Sequence, residues 1–210
     1  MFKAIIKQTL FLFCILGFAV ITEAQDSTYI KVHFLYGSRP LRKYKDVEAK
    51  WFGGMLGGHV GIETDSNKIL NFLPEGSFHW LAKKTNRHSS YHLHSNRDFY
   101  AILGGNADGV KKLVVYIPVS VAQKHQLDSI SSAYLLQTPY DYALIGMRCG
   151  AASYEILGQL GIVPAYSYKK TYLKILYPKK LRHILLQKAL NNHWVIETAA
   201  GTTRRKWEQD

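Results

Sequence analysis

Cysteine is scarce in this chain: 210 residues hold two, Cys14 and Cys149. That excludes a disulfide-stapled fold, which needs several pairs. Acidic residues are also few, 15 against 27 Lys and Arg, so the formal charge is +12. Long apolar runs are missing beyond the first two dozen residues, and a bilayer-crossing helix needs about 20 apolar residues. No internal repeat and no domain linker is visible. Disorder is excluded from the other side, because the aromatic content is high and includes 14 tyrosines.

The start of the chain is different in kind. Lys3 and Lys7 precede an uncharged run from Thr9 to Ile21, and Thr22-Glu23-Ala24-Gln25 follows. A positive opening, a short apolar stretch and a small residue at the cut describe a signal peptide spanning residues 1–24. Cys14 has Phe13 before it rather than a small residue, so it is not a lipoprotein cysteine. Cleavage after Ala24 predicts a periplasmic or secreted protein whose only thiol is Cys149. An unpaired thiol in an oxidising compartment has to be buried, paired between chains, or used.

Removing that segment takes away two positive charges and one negative, leaving +11. The excess lies in four stretches: Arg39 to Lys50, Lys83 to Arg97, Lys169 to Lys188 and Arg204 to Lys206. Nucleic acid is one partner for such a surface. Export points instead to an anionic polymer of the cell wall or to a membrane surface, so no nucleic acid is expected. A basic, soluble face with no specific partner is the plainer alternative.

The remaining residues suit one domain, 25–195, with a polar C-terminal tail, 196–210. Ser27 to Tyr36 alternates as a strand does, and 47–52 reads as a short helix. Gly53-Gly54 and Gly57-Gly58 form a flexible approach to a hairpin over 59–73. Residues 77–97 read as a histidine-rich loop with short strands, and Phe99 to Leu103 and Lys112 to Val119 as strands. Ser120 can cap a helix to about Leu136. A second helix starts near Cys149, carries Ala152, Ile156 and Leu160 on one face, and ends at Gly161. A third covers 177–191.

Chemistry concentrates at Cys149. A cysteine in the first turn of a helix faces unsatisfied backbone N–H groups and the positive end of the helix dipole, both of which favour the thiolate. The same N–H groups suit a developing oxyanion. Arg148 adds a neighbouring positive charge. A thiolate nucleophile needs an imidazole partner, and of nine histidines His59 is the best placed, at the head of an apolar strand beside two glycine pairs. Glu63 lies four strand residues on, about 13 Å away, too far to touch that ring. With a three-residue loop from Thr64 to Ser66, Asn71 sits opposite His59; a two-residue loop pairs it with Val60. Tyr142 is a further candidate, lining the cleft or donating to the oxyanion. The plain alternatives are a buried core cysteine, a hydrogen-bonded core histidine, an asparagine bonded to its own hairpin, and aromatic packing.

Gly58-His59-Val60-Gly61-Ile62, then Ile69-Leu70-Asn71-Phe72, and far downstream Tyr140-Asp141-Tyr142 and Arg148-Cys149-Gly150 resemble the circularly permuted branch of the NlpC/P60 papain-like superfamily. That branch includes the YiiX-like and lecithin:retinol-acyltransferase-like proteins. The resemblance spans roughly residues 29–162. It implies a cysteine nucleophile at Cys149, a general base at His59 and a polar third residue at Asn71. Two positions depart from the branch: Arg148 stands where Asn is frequent, and Asn71 where His or Glu is frequent.

The resulting expectation is an α+β, papain-like fold, with an antiparallel sheet or partly closed barrel packed on a helix that carries the cysteine at its N-terminus. The expected function is thiol hydrolysis of an amide, with cell-wall peptide as substrate. The alternatives are lipid amide or ester hydrolysis or acyl transfer, and a non-catalytic module that binds anionic glycan or lipid. No cofactor is required. His79, His88, His92 and His94 form a cluster with no supporting carboxylate pattern or second cysteine, so no metal is expected.

Overall fold

The computed structural model describes residues 28–51, 58–64, 67–76, 79–83 and 88–210. The expected signal segment and most of the glycine-rich approach to His59 lie outside these residues.

Strand β1 (Thr28–Leu35) is rich in β-branched and aromatic side chains and lies inside a six-stranded sheet. Its last four residues are all buried, so its alternation gives way to continuous burial where both faces are covered. The other members are β3 (His59–Glu63), β4 (Ile69–Pro74), β6 (Ser89–His94), β7 (Lys111–Val119) and β9 (Ile196–Ala200). The order is β6-β4-β3-β1-β7-β9, and every pairing is antiparallel. The edge strands β6 and β9 are not joined to each other, so the sheet is open and the expected partial barrel closure is corrected. Two small ribbons complete the β structure: β2 (Ser38–Pro40) pairs with β10 (Arg205–Trp207), and β5 (His79–Leu81) runs parallel to β8 (Ala143–Ile145).

Helix α1 (Asn96–Ala101) replaces the strand expected at 99–103. The Ser95 side chain accepts from the Asp98 N–H at 3.2 Å, a helix cap in a stretch read as extended. The expected helix at 47–52 is absent over its described part, Val47–Trp51; a 3-10 turn lies earlier, at Arg42–Tyr44. Helix α2 (Val121–Leu136) starts as expected, at Ser120, which forms a reciprocal capping box with Gln123. Helix α3 (Cys149–Gln159) begins on the cysteine and ends at Gly161, whose φ of 72° fits a residue without a Cβ. A short helix, α4 (Tyr168–Lys174), was not anticipated. Helix α5 (Pro178–Asn192) opens on proline, whose missing N–H costs nothing in a first turn. Helix α3 packs against β3 and β4, and α4 and α5 pack against α3.

The last fifteen residues are not a polar tail. They supply β9 to the sheet edge and β10 to the second ribbon. Trp207 is buried against Trp51, with ring centroids 5.4 Å apart. Asp210 accepts from Arg182 Nε at 2.7 Å and from the Tyr36 hydroxyl at 2.8 Å. Arg182 is fully buried and stacks 3.9 Å over the Tyr36 ring. A buried guanidinium needs partners; Asp210 takes the Nε hydrogen bond, and the Glu208 carboxylate stands 3.6 Å from Nη1.

Candidate active site

Cys149 is the first residue of α3, as expected, and is 3% exposed. The His59 ring is near enough to the thiol to lower its pKa. Arg148, in extended conformation, precedes the helix as its cap and makes no side-chain capping bond. Its guanidinium lies 4.8 Å over the Tyr177 ring and donates to the Leu176 carbonyl at 3.4 Å. Gly150 has a local reason: a Cβ there would meet Pro178 N at 2.9 Å, where α5 starts against the first turn of α3.

His59 heads β3 and is buried. Its ring lies against Phe99 of α1, with centroids 5.4 Å apart. The flanking glycines are space requirements. A Cβ on Gly61 would stand 2.4 Å from an Ile69 methyl and 2.9 Å from the Phe99 ring; one on Gly58 would stand 2.9 Å from the Leu35 carbonyl.

His59 Nε2 is 3.0 Å from Asn71 Oδ1. The strand pairing is Glu63↔Ile69, so five residues separate the partners rather than three. In a regular ladder that register sets His59 across from Leu73. The shift from the expected register is two residues, an even number, which preserves the strand face, and Asn71 reaches the ring diagonally. Asn71 Nδ2 points at the carbonyls of Ile69 and His92, each at 3.2 Å. Carbonyls only accept, so the amide nitrogen must face them and Oδ1 must face His59. The proton therefore sits on His59 Nε2, and Nδ1 is left for the thiol.

Charge follows from this geometry. Burial opposes ionisation of Cys149, but the His59 ring beside it, the hydrogen bond to it and the Arg148 charge outweigh burial and hold the thiol below its ordinary pKa. Burial likewise opposes a charge on His59, and the facing thiolate with the Asn71 hydrogen bond raises the ring above its ordinary value. The pair is thereby biased towards thiolate and imidazolium.

Tyr142, the fourth expected residue, stands with its hydroxyl 4.0 Å from the sulfur, the outer reach of a sulfur hydrogen bond. Burial, then the Cys149 charge, push its pKa well up, so it is a neutral donor. Its position is fixed through Asp141, which is fully buried and takes hydrogen bonds from His79 Nδ1, the Lys83 N–H at 3.1 Å and the Ser89 hydroxyl at 3.4 Å. The chain then turns back, with Ala143 N donating to the Met147 carbonyl at 3.2 Å, and enters α3.

The four expected residues thus meet at one place. Sequence reading missed two neighbours, Phe99 and His94. His94 Nδ1 lies 3.0 Å from Asn71 Nδ2, and its ring stacks on His92 at 5.5 Å and 4°. The signal was present in the alternation of His92 and His94, but that stretch reads as a loop with short strands of no fixed pairing. Among the described residues no group of three or more His, Cys, Asp or Glu is arranged to hold a metal ion. In the same residues no helix is long and apolar enough to cross a membrane.

Comparison with protein-family models, with curated proteins and with solved structures gives no match for this chain.

Proposed function

We propose that the protein is an exported thiol hydrolase that cleaves an amide bond, with cell-wall peptide as the substrate class. The supporting observation is the grouping of Cys149, His59, Asn71 and Tyr142 at the first turn of α3, with Asn71 holding His59, the Tyr142 hydroxyl at the sulfur, and His59 lowering the thiol pKa. A core cysteine has apolar neighbours and a raised pKa. Cys149 is buried as such a residue is, yet an imidazole with a fixed tautomer faces it.

In this reading the Cys149 thiolate attacks the carbonyl carbon and the carbonyl π electrons move onto oxygen. The Cys149 backbone N–H, with Tyr142 as a further donor, holds that oxyanion. The His59 imidazolium gives its Nδ1 proton to the leaving amine as the carbon–nitrogen bond breaks, leaving an acyl-enzyme. Neutral His59 then takes a proton from water, whose oxygen attacks the acyl carbon and releases the thiolate. Asn71 keeps the ring in the plane that serves both steps. No cofactor enters.

A second substrate class has its own support. Trp80 and Leu81 of β5 and Ile145 of β8 are 73%, 66% and 50% exposed on the ribbon that leads into the Cys149 segment. Exposed apolar side chains beside a basic surface suit a lipid amide or ester, or acyl transfer from it. Binding of anionic glycan or lipid without catalysis is the remaining reading, and an inert thiol would favour it.

The test is to incubate the purified protein with muropeptides and, separately, with phospholipid vesicles, and to follow release by mass spectrometry. Peptide cleavage that disappears in Cys149→Ala supports the amidase reading. Fatty-acyl release lost in the same variant moves the substrate class to lipid. Release from neither, or release unchanged by Cys149→Ala, overturns the hydrolase reading.

A further inference from the structure

We propose that His94 is a positioning residue, which ties the orientation of the Asn71 amide, and through it His59, to the protonation of a ring on the sheet edge. The inference rests on the Cys149–His59 reading above.

Three acceptors share the two Asn71 Nδ2 protons: the Ile69 carbonyl, the His92 carbonyl and His94 Nδ1, at 3.2, 3.2 and 3.0 Å. Two of them cannot change. His94 Nδ1 can, because it accepts only while it carries a lone pair. Protonation at Nδ1 sets an N–H against the Asn71 NH₂, donor against donor. Either the His94 ring turns away, or the amide rotates and offers Oδ1 to His94. Rotation takes the acceptor from His59 Nε2–H and breaks the restraint on the catalytic ring. In both cases a second positive charge arrives beside the His59 imidazolium and weakens its pairing with the thiolate.

The surroundings of His94 make this a titration rather than a fixed state. On its own strand His92 stacks over it. On α1 it faces Asp98, on β3 His59, and on β4 the neutral Asn71. Beyond His92 lies Glu75, 3.3 Å from His92 Nε2. Partial burial, the His92 charge and the His59 charge disfavour a cation on His94, and Asp98 favours one; the balance holds its pKa below the ordinary 6.5. The ring is therefore neutral near pH 7 and charges as acid is added. Asn71 occupies a position where a titrating residue would answer to pH directly; here the response sits one hydrogen bond further out.

The experiment is the pH dependence of Cys149 alkylation by iodoacetamide, between about pH 4 and pH 8, on the purified protein and two variants. His94→Asn keeps an acceptor near the Nδ1 position and cannot titrate. His94→Leu removes the acceptor. His94 lies at a half-exposed site on the sheet edge, so both variants are expected to fold. Wild type should lose reactivity towards acid in two protons. His94→Asn should lose it in one, react like wild type near pH 7, and exceed it about 5-fold near pH 5, the value of one lost hydrogen bond. His94→Leu should be slower than wild type near pH 7 by a similar factor. Superimposable profiles for wild type and both variants, with His59→Ala still slowing alkylation, overturn the His94 inference and leave the dyad standing. An unreactive wild-type thiol that His59→Ala does not change overturns both.

Discussion

Asn71 Oδ1 accepts from His59 Nε2–H at 3.0 Å, and the same amide's nitrogen is held by two backbone carbonyls. The restraint on the histidine is thus anchored in the β4–β6 ladder rather than in a mobile side chain. The neutral amide cannot balance the imidazolium charge as a carboxylate would, so its contribution is orientation and tautomer.

Asn71→Ala should therefore lower turnover by mis-setting the ring, on the order of 10²-fold, with little change in KM. Steady-state kinetics on whichever substrate the muropeptide and vesicle assays yield check this. Asn71→Asp should retain more activity than Asn71→Ala, because one carboxylate oxygen still faces His59.

Gly61 and Gly150 are expected to be intolerant of a single added carbon. Gly61→Ala drives a methyl group into Ile69, the Leu70 carbonyl and Phe99, and Gly150→Ala into the backbone of Pro178. Neither neighbour at Gly150 is a flexible side-chain tip. Each change should destabilise by about 1–3 kcal/mol, and each should shift the site residue nearby, His59 two positions before Gly61 or Cys149 before Gly150. Calorimetry gives the first effect, and thiol alkylation the second.

Glu63 makes the fold acid-sensitive. Hydrogen bonding to buried His33, at 3.1 Å, leads the effects that hold its carboxyl down to about 2 from 4.5; burial opposes this and Lys31, at 2.6 Å, reinforces it. A carboxyl with a depressed folded pKa contributes stability above its unfolded pKa and loses it as pH falls towards the folded value. Wild type should accordingly lose Tm steeply between about pH 4.5 and pH 2. Glu63→Gln should start lower at neutral pH and fall less over that window. Parallel curves would contradict the assignment.

The C-terminal segment should prove structural. Trp207 is buried, its indole N–H donates to the Thr202 carbonyl at 2.9 Å, and its ring lies against Trp51. Trp207→Ala should cost about 3–5 kcal/mol, seen as a Tm lower by about 10 °C. A change within a degree or two would return residues 196–210 to the status of a tail.

Much of the site was readable because its signals are local. A helix that opens on Cys149, the strand from His59 and the serine cap at Ser120 each follow from short-range pattern. The β3–β4 register was not readable, since three- and five-residue loops both satisfy the turn chemistry of 64–68 and only packing chooses between them. His94 was hidden because β6 holds few apolar residues and draws its order from pairing with β4. The terminal segment looked polar for a similar reason: its burial depends on partners far away in sequence, Arg182, Tyr36 and Trp51.

The most direct measurement is the ionisation of Cys149 itself, followed by ultraviolet thiolate absorbance in wild type and in His59→Ala. Wild type should hold a thiolate below the ordinary cysteine value of about 8.5. Removing the imidazole leaves burial opposed by Arg148 and the Tyr142 hydrogen bond alone, so His59→Ala should titrate higher than wild type. An ordinary or raised wild-type pKa that is unchanged in His59→Ala would contradict the proposed thiolate–imidazolium pair.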